Sequence, residues 1–301
     1  MKFSIIERRY WFFALSLLII LPGLFSIMTR GFNLGIDFTG GTLIDLKFDK
    51  PVTVVQVRTV LADYKLENSV VQLAATEKTD AAPNVLIRTH TLTETDRKAV
   101  LDGFAAKIGK YDVMRVEKVG ATIGAELTRD AIIALLLSWL AMIAYISYRF
   151  EYRFGVAGII SLIHDVFVVL GIFSLLQKEI DASFVAALLT IVGYSINDTI
   201  VIFDRIRENM KKMKKGETLS EMVDHSIWQT MTRSIYTVLT VLFATGALYF
   251  LGGETTKDFS LALLIGFVSG MYSSIFNASP IWYMWKEHDE RKRLEHKMRP
   301  A

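Results

Sequence analysis

The chain has 301 residues, 52% of them hydrophobic and 22% charged, with a formal net charge of +3 and no cysteine. Apolar content above the ~45–50% of an ordinary soluble chain, gathered into long runs rather than spread at an amphipathic period, indicates a polytopic membrane protein and excludes a soluble globular one. Without cysteine there is neither a disulfide framework nor a thiolate metal site, and redox usage carries no information on compartment.

Six segments reach the roughly 20 residues that a spanning helix needs, at 11–29, 130–148, 154–176, 183–203, 234–251 and 259–285. The first follows Lys2, Arg8 and Arg9 like a signal peptide. Its apolar run exceeds a signal core and no small-x-small cleavage site follows, so a retained anchor is expected. Pro22 and Gly23 inside it predict a kink, which neighbouring groups in a membrane bundle can accommodate. Lys and Arg concentrate at the N-terminus, around Arg149 and Arg153, in the 204–233 loop and in the tail from Lys286, whereas the two short opposite loops carry only Lys178 and Lys257. That asymmetry predicts both termini on the cytoplasmic side and the long 30–129 segment outside. The expected organisation is an N-terminal stretch and first span (1–29), an external domain (30–129), a five-helix membrane domain (130–285) and a cytoplasmic tail (286–301).

Just past the first span lies Gly31-Phe32-Asn33-Leu34-Gly35-Ile36-Asp37-Phe38-Thr39-Gly40-Gly41. Glycines there permit positive φ and close backbone approach, so Gly35, Asp37, Gly40 and Gly41 mark a turn or hinge motif. A phosphate cradle is disfavoured, because no strand–loop–helix carrying a lysine follows. The pattern next reads strand 42–48, helix 54–64, strand 68–74, strand 85–89, helix 94–108 and strand 113–119. Thr93 and Asp96 are spaced as a capping pair, with Val100, Leu101, Phe104 and Ile108 on one helix face. The order β-α-β-β-α-β is that of a ferredoxin-like split βαβ unit, a scaffold that assigns no activity by itself. Residues 76–84 are expected to form an exposed loop. His90 is the only histidine of this domain, and no metal-ligand cluster or nucleophile–base pair stands out, which favours a polypeptide- or partner-contacting module over a catalytic one.

The second span ends in Tyr145 and Tyr148, suited to the headgroup region. The third carries His164 and Asp165 near its midpoint. They are either a hydrogen-bonded pair between helices or a polar step in a proton path. In the fourth, Ser195, Asn197 and Asp198 interrupt an apolar run, with Ser195 expected on the face of Asp198. Burying a carboxylate within a membrane costs several kcal/mol, so the default reading of Asp198 is functional. Asp204, Arg205, Arg207 and Glu208 fit a solvated helix extension. Residues 219–228 read as an amphipathic helix on the membrane face. Arg233 opens the fifth span, either as an interfacial charge snorkelling to water or as the counter-charge to a neighbouring carboxylate. The last span has small residues at Ala262, Gly266, Gly270, Ser274 and Ala278, and Gly266-x-x-x-Gly270 allows close helix packing.

GFNLGIDFTGGT after the first span, His164-Asp165 in the third and GYSINDTIVIFDRIREN closing the fourth resemble the signatures of the SecF family, membrane subunits of the bacterial Sec protein-export apparatus. The layout matches over nearly the whole chain. The resemblance implies a multi-pass protein of the bacterial inner membrane, belonging to the proton-driven resistance-nodulation-division superfamily and pairing with SecD. It further implies contact with the SecYEG channel, accessory Sec subunits and the emerging secretory polypeptide. By the same resemblance Asp198 is the titrating carboxylate and Arg233 its basic neighbour, with a third carboxylate supplied by SecD. Protons are then the coupling ion; no cofactor, metal, nucleic-acid partner or covalent chemistry is expected. Three rivals have distinct signatures. An intramembrane aspartyl protease could use Asp165 with Asp198, though the Gly-x-Gly-Asp pattern of such proteases is missing. A small-molecule or lipid exporter of the same superfamily would ordinarily need twice the spans. In a purely stabilising subunit, Asp198 would be replaceable by an uncharged residue.

Overall fold

The computed structural model describes residues 3–74 and 84–298. Two compact units result, one from Met1–Asn33 with Ile133–Ala301 and one from Leu34–Ile132. The loop expected at 76–84 lies outside the described residues except for Asn84, which opens a strand.

In the second unit a one-turn helix α2 (Ile36–Thr39) precedes β1 (Gly41–Phe48), α3 (Val54–Ala62), β2 (Val70–Ala74), β3 (Asn84–Thr89), α4 (Glu94–Lys107) and β4 (Tyr111–Val119). The four strands form one antiparallel sheet in the order β2-β3-β1-β4. Its register sets Ile44 opposite Ile87 on one side and Val116 on the other. Both helices lay an apolar face on the sheet, so that Ile44, Leu46, Val57, Val60, Ile87, Val100 and Phe104 form the core. Leu101 and Ile108 flank it, as the spacing along α4 predicts. Each helix starts where a side chain satisfies free backbone donors: a Thr53–Gln56 capping box on α3, and Thr93 accepting from the Asp96 backbone on α4.

The other unit is helical. Its elements are α1 (Arg9–Arg30), most of α5 (Ala121–Arg149), α6 (Tyr152–Leu176), α7 (Ala182–Lys211), α8 (Leu219–Leu251), α9 (Glu254–Ser273), a π-helical turn at Ser274–Ala278, and α10 (Ser279–Met298). By length and apolar composition, six helices among the described residues are able to cross a membrane, the sixth running Thr256–Lys292 through the π turn. α6 lies at the centre, with 61% of its apolar window buried, and α5 at the edge, with 6%.

Close packing rests on residues without bulk. A Cβ on Gly266 would stand 2.3 Å from Ile191 Cδ1, and one on Gly270 would stand 2.9 Å from Ser195 Cβ, so the small-residue row of α9 serves contact with α7 of the same chain. Gly23 of α1 meets Gly171 of α6 backbone to backbone, where an added Cβ would come within 2.6 Å of the Gly171 Cα. Pro22 lies inside the continuous α1, and the glycine after it makes this helix contact. Ser26 and Ser174 add a hydroxyl–hydroxyl bond of 2.9 Å beside it.

The stretch 219–228 differs from expectation. It is not a separate interfacial helix but the opening turns of the continuous α8, started by a Thr218–Glu221 capping box. Met222, Val223 and Ile227 are buried within the protein rather than turned to lipid. From the same turns Asp224 accepts hydrogen bonds from the Ser4 hydroxyl and, on Oδ1, from the Ile5 and Ile6 backbone amides at 2.9 and 3.0 Å. Trp228 Nε1 donates to the Phe3 carbonyl at 2.9 Å. The periodicity was correct; the surface that the apolar face meets was not visible in it.

Candidate functional site

The fourth span begins where Asp181 caps α7, its side chain accepting from the Phe184 amide at 2.8 Å. From there Ile191, Val192, Ile196 and Ile202 turn inward, and Ser195, Asp198 and Thr199 come with them. Asp198 is 7% exposed. Ser234 of α8 donates to its Oδ1 at 2.6 Å, and no donor among the described residues reaches Oδ2. Arg233 is adjacent to Ser234; its guanidinium is exposed, and its positive charge acts on the Asp198 carboxylate. Asp198 and Arg233 thus lie on two packed helices without an ion pair between them, and the contact that Asp198 does make is to Ser234, which sequence reasoning missed.

Asp165 stands in a different arrangement. It is fully buried on α6, and Oδ1 accepts from Ser269 of α9 at 2.6 Å while Oδ2 accepts from Ser195 of α7 at 2.7 Å and Ser273 of α9 at 2.8 Å. His164 Nδ1 lies 3.1 Å from Oδ1. Ser195, expected on the face of Asp198, is buried with it but bonds to Asp165. The three-residue spacing along α7 says nothing of α6 and α9, which bring Asp165 and Gly270 against Ser195. Asn197 is exposed on the outward side of α7, apart from both carboxylates. Because separate serines on separate helices hold Asp165 and Asp198, nothing in the arrangement makes them a proton-sharing pair of the aspartyl-protease kind.

From His164 the polar contacts continue towards α1. Its ring stacks on Tyr272 at 5.9 Å, whose hydroxyl donates to the Phe12 carbonyl at 2.7 Å. Asn277 and Ser16 exchange hydrogen bonds at 3.0 and 3.2 Å. The π turn lies in the middle of this network. Ser274 is 2.7 Å from the Thr199 hydroxyl and donates to the Ser195 carbonyl at 3.3 Å. One-turn π segments inside α-helices mark functional positions more often than chance would place them. The α7 extension pairs internally, Arg207 with Asp204 at 2.6 Å and Arg205 with Glu208 at 3.0 Å, as a solvated helix end does.

In the glycine motif, Gly40 and Gly41 have φ of +69° and +132°, whereas Gly35 caps α2 at an ordinary −70°. A Cβ on Gly41 would lie 2.4 Å from the Thr89 carbonyl oxygen, so the double glycine is required for entry into β1. Asp37 lies in the first turn of α2.

The protein-family description "Protein export membrane protein SecD/SecF, C-terminal" matches residues 100–288, and "SecD/SecF GG Motif" matches residues 25–52. The Protein translocase subunit SecF of Acidaminococcus fermentans is 50% identical over 96% of this chain and 99% of its own length. That of Haemophilus influenzae is 40% identical, with 96% and 86% covered. Among solved structures, SecDF of Thermus thermophilus, described as a translocon-associated membrane protein, superposes with a TM-score of 0.86 at 37% identity over 95% of this chain. The super-membrane-facing form of SecDF gives 0.73 at 36% identity over 98%. The chain spans 39% and 40% of those two SecDF chains.

Proposed function

The chain belongs to the SecD/SecF family of protein-export membrane proteins, as a multi-pass subunit of the SecF type, and from that premise we propose that it converts proton flow into movement of secreted polypeptide. The observation that carries this reading is Asp198, a carboxylate buried between two spans with one oxygen held by Ser234 and the other without a donor among the described residues; the charge of Arg233, next to Ser234 on α8, acts on it from a longer range.

In the ionised state Asp198 attracts Arg233 and accepts from Ser234, which ties α7 to α8. Protonation at Oδ2 cancels the charge and weakens that tie, so α8 shifts against α7. One charge crossing 100 mV supplies about 2.3 kcal/mol, enough to bias a two-state element roughly fifty-fold. The second unit is, in this reading, a ferredoxin-like domain on the outer face that grips an emerging polypeptide and releases it as the spans shift. The strand order β2-β3-β1-β4 supports the topology, and the excess of Arg and Lys on the opposite loops supports the orientation. SecD supplies the other six-span half and a third carboxylate; the likeness to SecDF supports that pairing. SecYEG is the channel served, and the bacterial inner membrane the location. Asp165, with both oxygens engaged, holds α6, α7 and α9 in register.

The test is Asp198→Asn in the two-chain complex, in vesicles with an imposed proton gradient. The complex is expected to assemble in normal amount while proton-dependent export is lost. Full export would refute the proposal.

A further inference from the structure

At the arginine-rich end of the helical unit, the ends of α5, α7 and α8 enclose a cleft of about 330 Å³. Its lining is two-natured. Ile200 and Val201 of α7 and the rings of Tyr145 and Phe150 present apolar surface, while Arg149 and Arg233 present guanidinium groups. Asp204, Arg205 and Glu208 also line it, but these charges are already spent within α7: Asp204 on Arg207, and Glu208 on Arg205 and on Lys212 at 2.7 Å. Arg149 and Arg233 have no ion-pair partner among the described residues. Arg149 lies 5.5 Å from the centre of the Phe150 ring. Arg207 fixes this end of α5 by donating to the Arg149 carbonyl at 3.2 Å and sitting 4.7 Å from the same ring.

A soluble anion would account for the arginines and leave the apolar wall unused. A hydrocarbon chain would do the reverse. We infer that the cleft binds an anionic phospholipid, its phosphate between Arg149 and Arg233 and its acyl chain along Ile200 and Val201. The guanidinium fork matches phosphate oxygens two at a time, and basic pockets between helix ends at the membrane surface suit acidic headgroups. Tyr145, 59% exposed and one turn before Arg149, is an aromatic ring of the kind that suits the headgroup region. α5, with 6% of its apolar window buried within the chain, leaves the site open on its lipid side. The inference shares Arg233 with the proposed proton site, so its test is placed on Arg149, which that site does not use.

Native mass spectrometry of the delipidated complex with SecD, titrated in separate arms with phosphatidylglycerol, phosphatidylcholine and inorganic phosphate, tests it. Phosphatidylglycerol is expected to bind in clear preference to phosphatidylcholine, and Arg149→Gln to cut that preference about fivefold, the worth of one basic side chain at a membrane surface. Arg149→Lys, which keeps the charge and loses the fork, should fall between. Equal binding of the two lipids, or a preference untouched by both variants, overturns the assignment. Displacement of phosphatidylglycerol by inorganic phosphate at equal concentration would make the ligand a free anion and also overturn it. Binding to this chain alone but not to the complex would mean that the partner fills the cleft, with the same result.

Discussion

Two aspartates in adjacent spans look alike in the sequence and differ completely in surroundings. Asp165 is held by three serine hydroxyls and His164, Asp198 by one serine. An asparagine at 165 keeps one acceptor oxygen and turns an NH2 donor on the hydroxyls that bonded the other, at about 1–3 kcal/mol for each buried group left unsatisfied. Asp165→Asn is therefore expected to lower the unfolding temperature of the detergent-solubilised complex markedly, and Asp198→Asn to leave it nearly unchanged. Equal shifts would remove the distinction between a packing carboxylate and a working one. Ser234→Ala takes away the one side-chain hydrogen bond that Asp198 accepts among the described residues, a charge-assisted bond of about 1.5–3 kcal/mol, and should slow proton-driven export about tenfold or more. Ser234→Thr, which keeps a hydroxyl, should retain most of it. The cost of a buried charge made both aspartates legible in the sequence. Their partners were not, because Ser234 lies 36 residues from Asp198 and Ser269 lies 104 from Asp165, and no local spacing links them. Ser269 and Ser273, one turn apart in an apolar span, lie beside the row of small residues and carry the signal that such spacing offers: two hydroxyls on one face, able to meet one acceptor.

Among the elements, α7 and α9 approach so closely that their contact is decided by single atoms. Gly266→Leu forces a branched side chain into the space held by Ile191, and overpacking of this kind costs about 1–3 kcal/mol. The variant should show reduced yield and a lower unfolding temperature, even though position 266 touches neither carboxylate; normal stability would mean that the helices separate easily. Helix existence was readable throughout, since each span is long and apolar, and α7 and α8 in addition open on a capping side chain. What periodicity could not supply was the identity of the opposing surface. Residues 219–228 have the amphipathic spacing of a helix lying on a bilayer, but their apolar face is covered by the protein's own N-terminal segment and neighbours. The π turn was equally invisible, because one extra residue per turn changes hydrogen bonding and not composition.

For the molecule as a whole, the order of elements between Gly41 and Val119 was plain from alternation and turns, whereas the sheet order β2-β3-β1-β4 depends on pairing between distant strands. The count of six spans followed from apolar length alone, but not that α6 is central and α5 peripheral. The beginning of the chain is also tied to a helix more than 200 residues later. Asp224 accepts from the Ile5 and Ile6 amides, so Asp224→Ala should speed hydrogen exchange at those two amides by at least an order of magnitude, with little change in α1, which begins at Arg9. Unaltered protection would assign the anchoring to Trp228 instead. The contact of Gly23 with Gly171 bears on how such a machine can flex. Two rods touching main chain to main chain have no side-chain cushion to roll over, so sliding would drive one carbonyl ridge across another. α1 and α6 must then travel as a single strut, and the give in any stroke falls to the seam where α7 meets α8.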